Sequence, residues 1–165
     1  MFQPRLRSQA FAVTCLVAGC LVLAACGSRV DLKDALQVTD VSTGWYDAGV
    51  VDGKNKLVPS ISFRLVNSAD ADLDAIGLNV VFRLADTDEI HEEIFKQRVP
   101  FENKQTELII VRSQNGFTGD PPQSRLEMLQ HSQFRDMDVV IMARQTSAQW
   151  VELHRVRVER TLLTR

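Results

Sequence analysis

His91 and the residues after it come nearest to a catalytic metal motif in this chain. Residues 91–95 read HEEIF. Zinc proteases use His-Glu-x-x-His, in which two histidines on one helical face bind the metal and the glutamate is the general base. Phe95 stands where the second histidine is required. The motif also falls in a predicted strand, where successive side chains point to opposite faces. The sequence therefore argues against zinc-dependent hydrolysis here.

Three aspartates have the carboxylate spacing of a calcium-binding loop. They are Asp70, Asp72 and Asp74. The EF-hand loop also needs glycine at its sixth position and glutamate at its twelfth, and Ala75 and Val81 stand there instead. Two interpretations stay open for this loop: a solvated acidic turn, or a calcium site of another kind.

Other motifs of enzyme chemistry are missing from the sequence. It contains no nucleophile elbow, phosphate-binding loop or dinucleotide-binding fingerprint. The remaining histidines, His131 and His154, are isolated from one another. We therefore expect a protein that is not an enzyme, with no catalytic residues, no metal and no cofactor. The alternative is a periplasmic ligand-binding or hydrolytic domain whose site is assembled only in three dimensions.

Aromatic residues supply three candidate positions for binding a partner. Phe117 lies in a loop, residues 113–119, that contains two glycines, and aromatic side chains on loops often anchor partners. The alternative is that its ring folds back and closes one end of the core. Trp45 and Tyr46 are adjacent in a predicted strand. They form either a ligand platform or part of the core.

The first 25 residues have the pattern of a secretory signal. Arg5 and Arg7 precede a run without charged residues from position 10 to position 25. This is the order of the basic and apolar regions of a signal peptide. The run is shorter than the roughly 20 apolar residues of a membrane-spanning helix. We therefore predict a signal peptide over residues 1–25 that is cleaved from the mature protein.

The end of that run carries a lipidation motif. Residues 23–26 read LAAC, which resembles the bacterial lipobox, a leucine, two small residues and an invariant cysteine. The resemblance implies cleavage between Ala25 and Cys26, diacylglycerol on the Cys26 thiol, and a new amino terminus acylated by a fatty acid such as palmitate. Several acyl chains hold a protein on a bilayer more firmly than a single chain does. Residues 26–36 would then be a lipidated tether.

The same resemblance implies a location. A bacterial lipoprotein faces the periplasm from the membrane that holds it, and Gly27 in place of aspartate after the cysteine points to the outer membrane. The three cysteines of the chain are Cys15, Cys20 and Cys26. The first two leave with the signal and the third becomes the anchor, so the mature chain has no free thiol and no internal disulfide.

The charge of the mature chain excludes one class of partner. Removing Arg5 and Arg7 from 19 basic residues leaves 17 against 21 acidic ones, a net charge of −4. A mildly acidic domain lacks the electrostatic footprint of a nucleic-acid-binding protein. Arg155 and Arg157 nevertheless make the last predicted strand basic on one face. That face suits an acidic partner, or it protects a sheet edge from strand addition.

Alternation of apolar and polar residues predicts an all-β domain over residues 37–165. Residues 57–65 and 76–84 alternate most clearly, as half-buried strands do. Five further candidate strands lie at regular intervals along the chain, at 38–46, 89–99, 107–112, 139–144 and 150–160. Pro59 suggests an edge position or a strand start, and a change of phase near His154 suggests a bulge. About seven short strands predict an antiparallel β-sandwich.

One segment departs from the strand pattern. Ser124 and Glu127 have the spacing of a capping box and precede the apolar residues Met128 and Leu129. This predicts one short helix, from Ser124 to about Gln133, that crosses between the two sheets.

Two consecutive predicted strands resemble a known group of envelope domains. Residues 61–68 read ISFRLVNS and residues 78–86 read LNVVFRLAD. They are similar to the core of the small immunoglobulin-like domains of bacterial lipoproteins of the FxLYD type and the YcfL-like type. The resemblance implies an immunoglobulin-like sandwich that binds partners. We therefore expect a membrane-anchored lipoprotein whose non-catalytic domain is an interaction or structural module with a protein partner in the envelope.

Overall fold

The computed structural model describes residues 30–163. The signal peptide, the cleavage site at Ala25 and the lipidation site at Cys26 lie outside the described residues. In order along the chain, the elements are α1 (Leu32–Ala35), β1 (Leu36–Val51), β2 (Lys54–Asn67), β3 (Ala75–Leu84), β4 (Ile90–Pro100), β5 (Ile109–Arg112), β6 (Phe117–Gly119), α2 (Arg125–Gln130), β7 (Met137–Arg144), β8 (Val151–Arg157) and β9 (Leu162–Leu163).

The strands form two sheets, and the prediction of an all-β sandwich is confirmed. The first sheet has the order β5-β2-β1-β9, with β6 also paired to β2, and the second has the order β4-β3-β7-β8. The pairings are antiparallel, except that β9 runs parallel to β1. All seven predicted strands are present.

The core lies between the sheets and follows the alternation in the sequence. In β2, the odd-numbered residues Leu57, Ile61, Phe63 and Leu65 are fully buried. The second sheet contributes the even-numbered residues of β3 and the odd-numbered residues of β7, which pair across the sheet. The inward side chains of β3 and β7 are Leu78, Val80, Phe82, Met137, Val139, Ile141 and Ala143, all buried.

The short strands β6 and β9 are not predicted from the sequence, because they are held by partners that are distant in the chain. Three residues of β6 pair with the start of β2. In β9, Leu162 and Leu163 pair with Trp45 and Tyr46. A β-carbon on Gly44 would lie 2.7 Å from Cγ of Leu163, so the glycine makes room for the Leu163 side chain.

Pro59 lies inside a central strand, and the expectation of an edge position or strand start is wrong. The carbonyl of Pro59 accepts a hydrogen bond from the Ser113 N–H at 3.0 Å, so this side of the residue faces β5 and β6. Those strands pair with Ser60–Phe63 and Asn55–Leu57 respectively. The nitrogen of Pro59 therefore points into the gap between two neighbours, where no ladder hydrogen bond is lost.

The predicted crossover helix is confirmed and is shorter than expected. The Ser124 hydroxyl accepts from the Glu127 N–H and the Glu127 carboxylate accepts from the Ser124 N–H, which completes the capping box. The helix ends at Gln130 rather than near Gln133. It follows β6 of the first sheet and precedes β7 of the second. Met128 and Leu129 are its buried residues.

The bulge that the sequence predicts near His154 is also present. The register of β7 and β8 shifts between Ile141 and Met142, which pair with His154 and Glu152. Leu153 is therefore the extra residue, next to the predicted position.

The folded body begins before residue 37. Asp31 caps α1 by accepting from the Lys33 N–H at 2.9 Å, and Leu32, Ala35 and Leu36 are each 5% exposed or less. The Ala35 carbonyl accepts from both the N–H and the hydroxyl of Ser68. The last part of the segment interpreted as a tether thus belongs to the core. Among residues 30–163, no helix is long and apolar enough to cross a membrane.

Packing of α1 makes a prediction about stability. Replacing Leu32 with alanine should lower the free energy of unfolding by about 2–4 kcal/mol, because a buried leucine is lost and a cavity remains. The matched change Lys33→Ala, on the exposed side of the same turn, should stay within about 0.5 kcal/mol. Urea unfolding followed by tryptophan fluorescence measures both. Equal effects of the two substitutions would show that residues 31–36 are a tether outside the core.

Candidate functional site

The aromatic candidates are placed differently from one another. Trp45 is fully buried, and its ring packs edge-to-face on Phe134 with centroids 4.5 Å apart. Tyr46 is half-buried on the opposite face of β1, and the Arg112 guanidinium lies 3.8 Å from the centre of its ring. The adjacent pair is therefore divided between the core and the outer surface. Trp45 forms no part of an exposed platform.

Phe117 faces the same aromatic cluster as Trp45. Its ring centroid is 5.6 Å from that of Trp45 and 5.1 Å from that of Phe134. The ring of His91 lies 6.2 Å from that of Phe117. This placement matches the interpretation in which the loop aromatic closes one end of the core.

The arginines of the last strand are engaged by acidic residues of the same chain. Arg155 forms an ion pair with Asp88 at 3.0 Å, and Arg157 pairs with Asp138. The hydrogen bond from Arg155 is the main cause of the lowered pKa of Asp88, and the same contact raises the pKa of Arg155. Internal pairing thus neutralises much of the basic face before any partner approaches.

The acidic and histidine candidates are dispersed. Asp70, Asp72 and Asp74 are exposed in the loop between β2 and β3, and His91 lies in β4 as expected. Among the residues that the structure describes, no group of three or more His, Cys, Asp or Glu side chains could hold a metal ion.

Glu92, beside that histidine, has a structural task. It pairs with Phe82 across the sheet and so points inward. Its carboxylate accepts hydrogen bonds from the Ser113 hydroxyl and from the N–H groups of Gln114 and Asn115, the latter two at 2.8 and 3.1 Å. Burial alone would raise the pKa of Glu92, but these hydrogen bonds outweigh it and hold the pKa below its ordinary value. Glu92 therefore ties the end of β5 to β4.

The most distinctive surface lies along the second half of β4 and is here called the β4 cleft. It has a cavity volume of about 520 Å³. Its floor and walls combine aromatic, basic and small residues from three strands and one loop. The residues that define it are Gly77, Phe95, Lys96, Arg98, Arg144 and Trp150.

A β-bulge and a glycine shape the cleft. Ile76 pairs with Val99 and Leu78 with Lys96, so Gln97 and Arg98 together oppose the single residue Gly77. Bulges re-aim side chains and are common beside binding sites. A β-carbon on Gly77 would lie 3.3 Å from Cγ of Arg144. The glycine thus leaves the floor open beneath the Arg144 side chain.

Aromatic rings and cations meet in the cleft. The rings of Phe95 and Trp150 have centroids 6.0 Å apart, and the Arg144 guanidinium lies 4.5 Å from the centre of the Trp150 ring. The Phe95 side chain is 57% exposed. In the described part of the chain, no ion pair involves Lys96, Arg98 or Arg144. The cleft therefore presents positive charge that the protein leaves uncompensated.

Sequence reasoning missed this surface. Its residues come from positions 77, 95–98, 144 and 150, and only the β4-β3-β7 pairing unites them. One signal was available: Glu93 and Phe95 share a strand phase, so an aromatic ring had to lie on the face of a charged residue. In the zinc-protease motif, by contrast, Phe95 is only the residue that replaces a ligand.

Comparison with known proteins assigns no family to the chain. No family model and no curated protein matches it. A solved structure described as "X-ray structure of Northeast Structural Genomics Consortium target SoR45" is 13% identical, with a TM-score of 0.37 over 77% of this chain and 88% of that chain. That level of similarity leaves function to be argued from the chain itself.

The Glu92 contacts make a prediction about pH. Because the folded pKa lies below the ordinary value of 4.5, the carboxylate stabilises the fold fully above pH 4.5, and this contribution disappears as pH falls through the folded pKa. Glu92→Gln should cost about 1–2 kcal/mol at pH 7, and the difference from the parent should shrink below pH 4.5. Thermal unfolding from pH 3 to pH 7 measures this.

The neighbouring substitution Glu93→Gln is the control, because Glu93 is exposed on the opposite face of the strand. It should leave the pH profile of stability unchanged. A constant gap between Glu92→Gln and the parent at every pH would contradict the assignment.

Proposed function

We propose that this chain is a lipid-anchored bacterial envelope protein whose all-β domain is a non-catalytic interaction module, with the β4 cleft as its docking surface. The acylated Cys26 would hold the domain on the periplasmic side of the membrane, most consistently the outer membrane. The support for the anchor is the LAAC sequence at residues 23–26 behind an apolar run.

The observation that carries the docking role is the exposed Phe95 beside Trp150 and Arg144. Tryptophan and arginine dominate the binding energy of protein interfaces, usually within a patch of near-neutral contacts. Arg144 is already stacked on Trp150, so little side-chain freedom remains to be lost on binding. Arg135 and Arg155, by contrast, are each paired with an aspartate.

The edges of both sheets favour recognition by side chains over strand addition. Glu92 of the edge strand β4 is paired with the buried residue Phe82, so its charge points inward. The other edge strand of that sheet, β8, carries a bulge at Leu153. The first sheet ends in the short strands β5, β6 and β9. Inward charges, bulges and short strands all block an added strand.

The anchor makes the first prediction. Cys26→Ser removes the thiol that forms the thioether, so the chain should carry no lipid and should keep its signal peptide. Cell fractionation and mass spectrometry of the amino terminus measure both effects. A serine variant that is cut at the same bond and still sediments with membranes would show that lipidation does not hold the protein.

The cleft makes a second prediction. A photo-reactive benzoylphenylalanine in place of Phe95 keeps an aromatic ring at the position and should give a discrete crosslinked product in intact cells. The matched position is Val50, which is 61% exposed in the β1–β2 hairpin region and should give none. Absence of any product from position 95, with normal protein levels, would rule out the cleft as the docking surface.

A further inference from the structure

We infer that the occupant of the β4 cleft is an acidic segment of another envelope protein that lies close to the membrane surface. This inference rests on the proposed function and gives the chemistry and position of the partner. It draws on three independent features: unpaired charge in the cleft, apolar surface beside it, and the place where the membrane tether enters the domain.

The unpaired cations of the β4 cleft indicate that the segment bound there is negatively charged. Lys96 and Arg98 are exposed, and Arg144 is half-buried against Trp150. The lining of the cleft includes no aspartate or glutamate. Three neighbouring cations repel one another, and an anionic partner removes that repulsion on binding. The mature chain is acidic overall, so the cluster of cations in the cleft differs in sign from the net charge of the protein.

Apolar surface beside the cations favours a polypeptide over a small anion. Arg98 and Lys96 also line a second groove, whose other wall is formed by the segment that leads into β5 and includes Glu102 and Glu107. Leu108 and Ile110 are 45% and 51% exposed there. Phe95, Leu108 and Ile110 thus flank the two shared cations. A segment with acidic side chains in the β4 cleft and apolar side chains against Leu108 and Ile110 could contact both grooves, whereas a small anion would leave the apolar wall in water.

The tether places the cleft near the bilayer. The domain has one end, here called the α1 end, where α1 meets the loop after β2 through Ala35 and Ser68. The same end contains the start of β3 and the ends of β4 and β7, since Ala75 pairs with Pro100 and Gly77 with Arg144. The cleft therefore opens at the α1 end.

Chain length limits how far that end can lie from the membrane. When Cys26 carries the lipid, residues 27–31 alone separate it from the buried Leu32. A fully extended chain spans at most about 3.5 Å per residue, so the link reaches roughly 20 Å. The partner must accordingly offer its acidic segment within a short distance of the lipid headgroups.

Acidic residues at the same end argue against the bilayer itself as the occupant. Asp70, Asp72 and Asp74 are exposed in the loop that also belongs to the α1 end. An anionic lipid surface would repel these carboxylates while attracting the cations of the cleft. A protein segment can contact the cleft without facing these aspartates.

The experiment combines crosslinking with charge reversal in the full-length, lipidated chain. Benzoylphenylalanine at position 95 is used in intact cells, and the attached peptide is identified by mass spectrometry. Lys96→Glu with Arg98→Glu should reduce the product at least about tenfold, and Lys96→Gln with Arg98→Gln should reduce it less. Lys54→Glu with Lys56→Glu, at the far end of β2, makes the same charge change and should leave the yield unaltered. Melting temperatures of the purified variants check that each is folded.

Each result supports or overturns the inference. An attached peptide with net negative charge, from a membrane-associated protein, together with the loss on charge reversal, supports it. A neutral or basic peptide, or a yield insensitive to charge reversal, overturns the acidic partner while the docking role stands. Attachment to phospholipid overturns it in favour of the bilayer. No product at position 95 overturns the docking role and the inference together.

Discussion

The packing of Trp45 is the contact on which most of this domain depends. The residue lies in β1 and pairs with Pro59 of β2 on one side and Leu162 of β9 on the other. Its fully buried ring rests on Phe134, which follows α2, and on Phe117 of β6. One side chain thus joins elements that are separated by most of the chain. Burying such an aromatic ring against others stabilises a fold by several kcal/mol, so the packing of Trp45 holds β6, β9 and the segment after α2 against the core.

Local sequence patterns predict those parts of the molecule whose structure is decided locally. Strands β2 and β3 follow from alternation, and α2 follows from a capping box that is complete within four residues. The position of Pro59 could not be predicted in this way. A proline can lie in this central strand only because its nitrogen faces the gap between β5 and β6, and local sequence does not show that gap. Strands β6 and β9 and helix α1 share this dependence. Each is too short to carry a periodic signal and is held by distant partners.

The same distinction applies to the candidate sites. Isolated residues such as Phe117, Trp45 and Arg157 stand out in the sequence, yet the fold engages them internally through aromatic packing or an ion pair. The β4 cleft is assembled from residues that are unremarkable one by one. Its character comes from register: a bulge opposite Gly77 brings Arg98 to the place where Phe95, Arg144 and Trp150 converge. Charge that lacks an internal partner identifies the surface better than residue type does.

The inward charge of Glu92 on β4 also has a consequence for encounters between copies of the protein. A chain attached to a bilayer diffuses in two dimensions and meets its own copies far more often than a freely dissolved one. Exposed sheet margins would turn those encounters into irreversible polymers. Because Glu92 points beneath the edge of the sheet, two neighbouring copies cannot pair their β4 strands there without burying a charged carboxylate. In the membrane-anchored form that we propose, many copies could then share one bilayer surface and remain separate molecules.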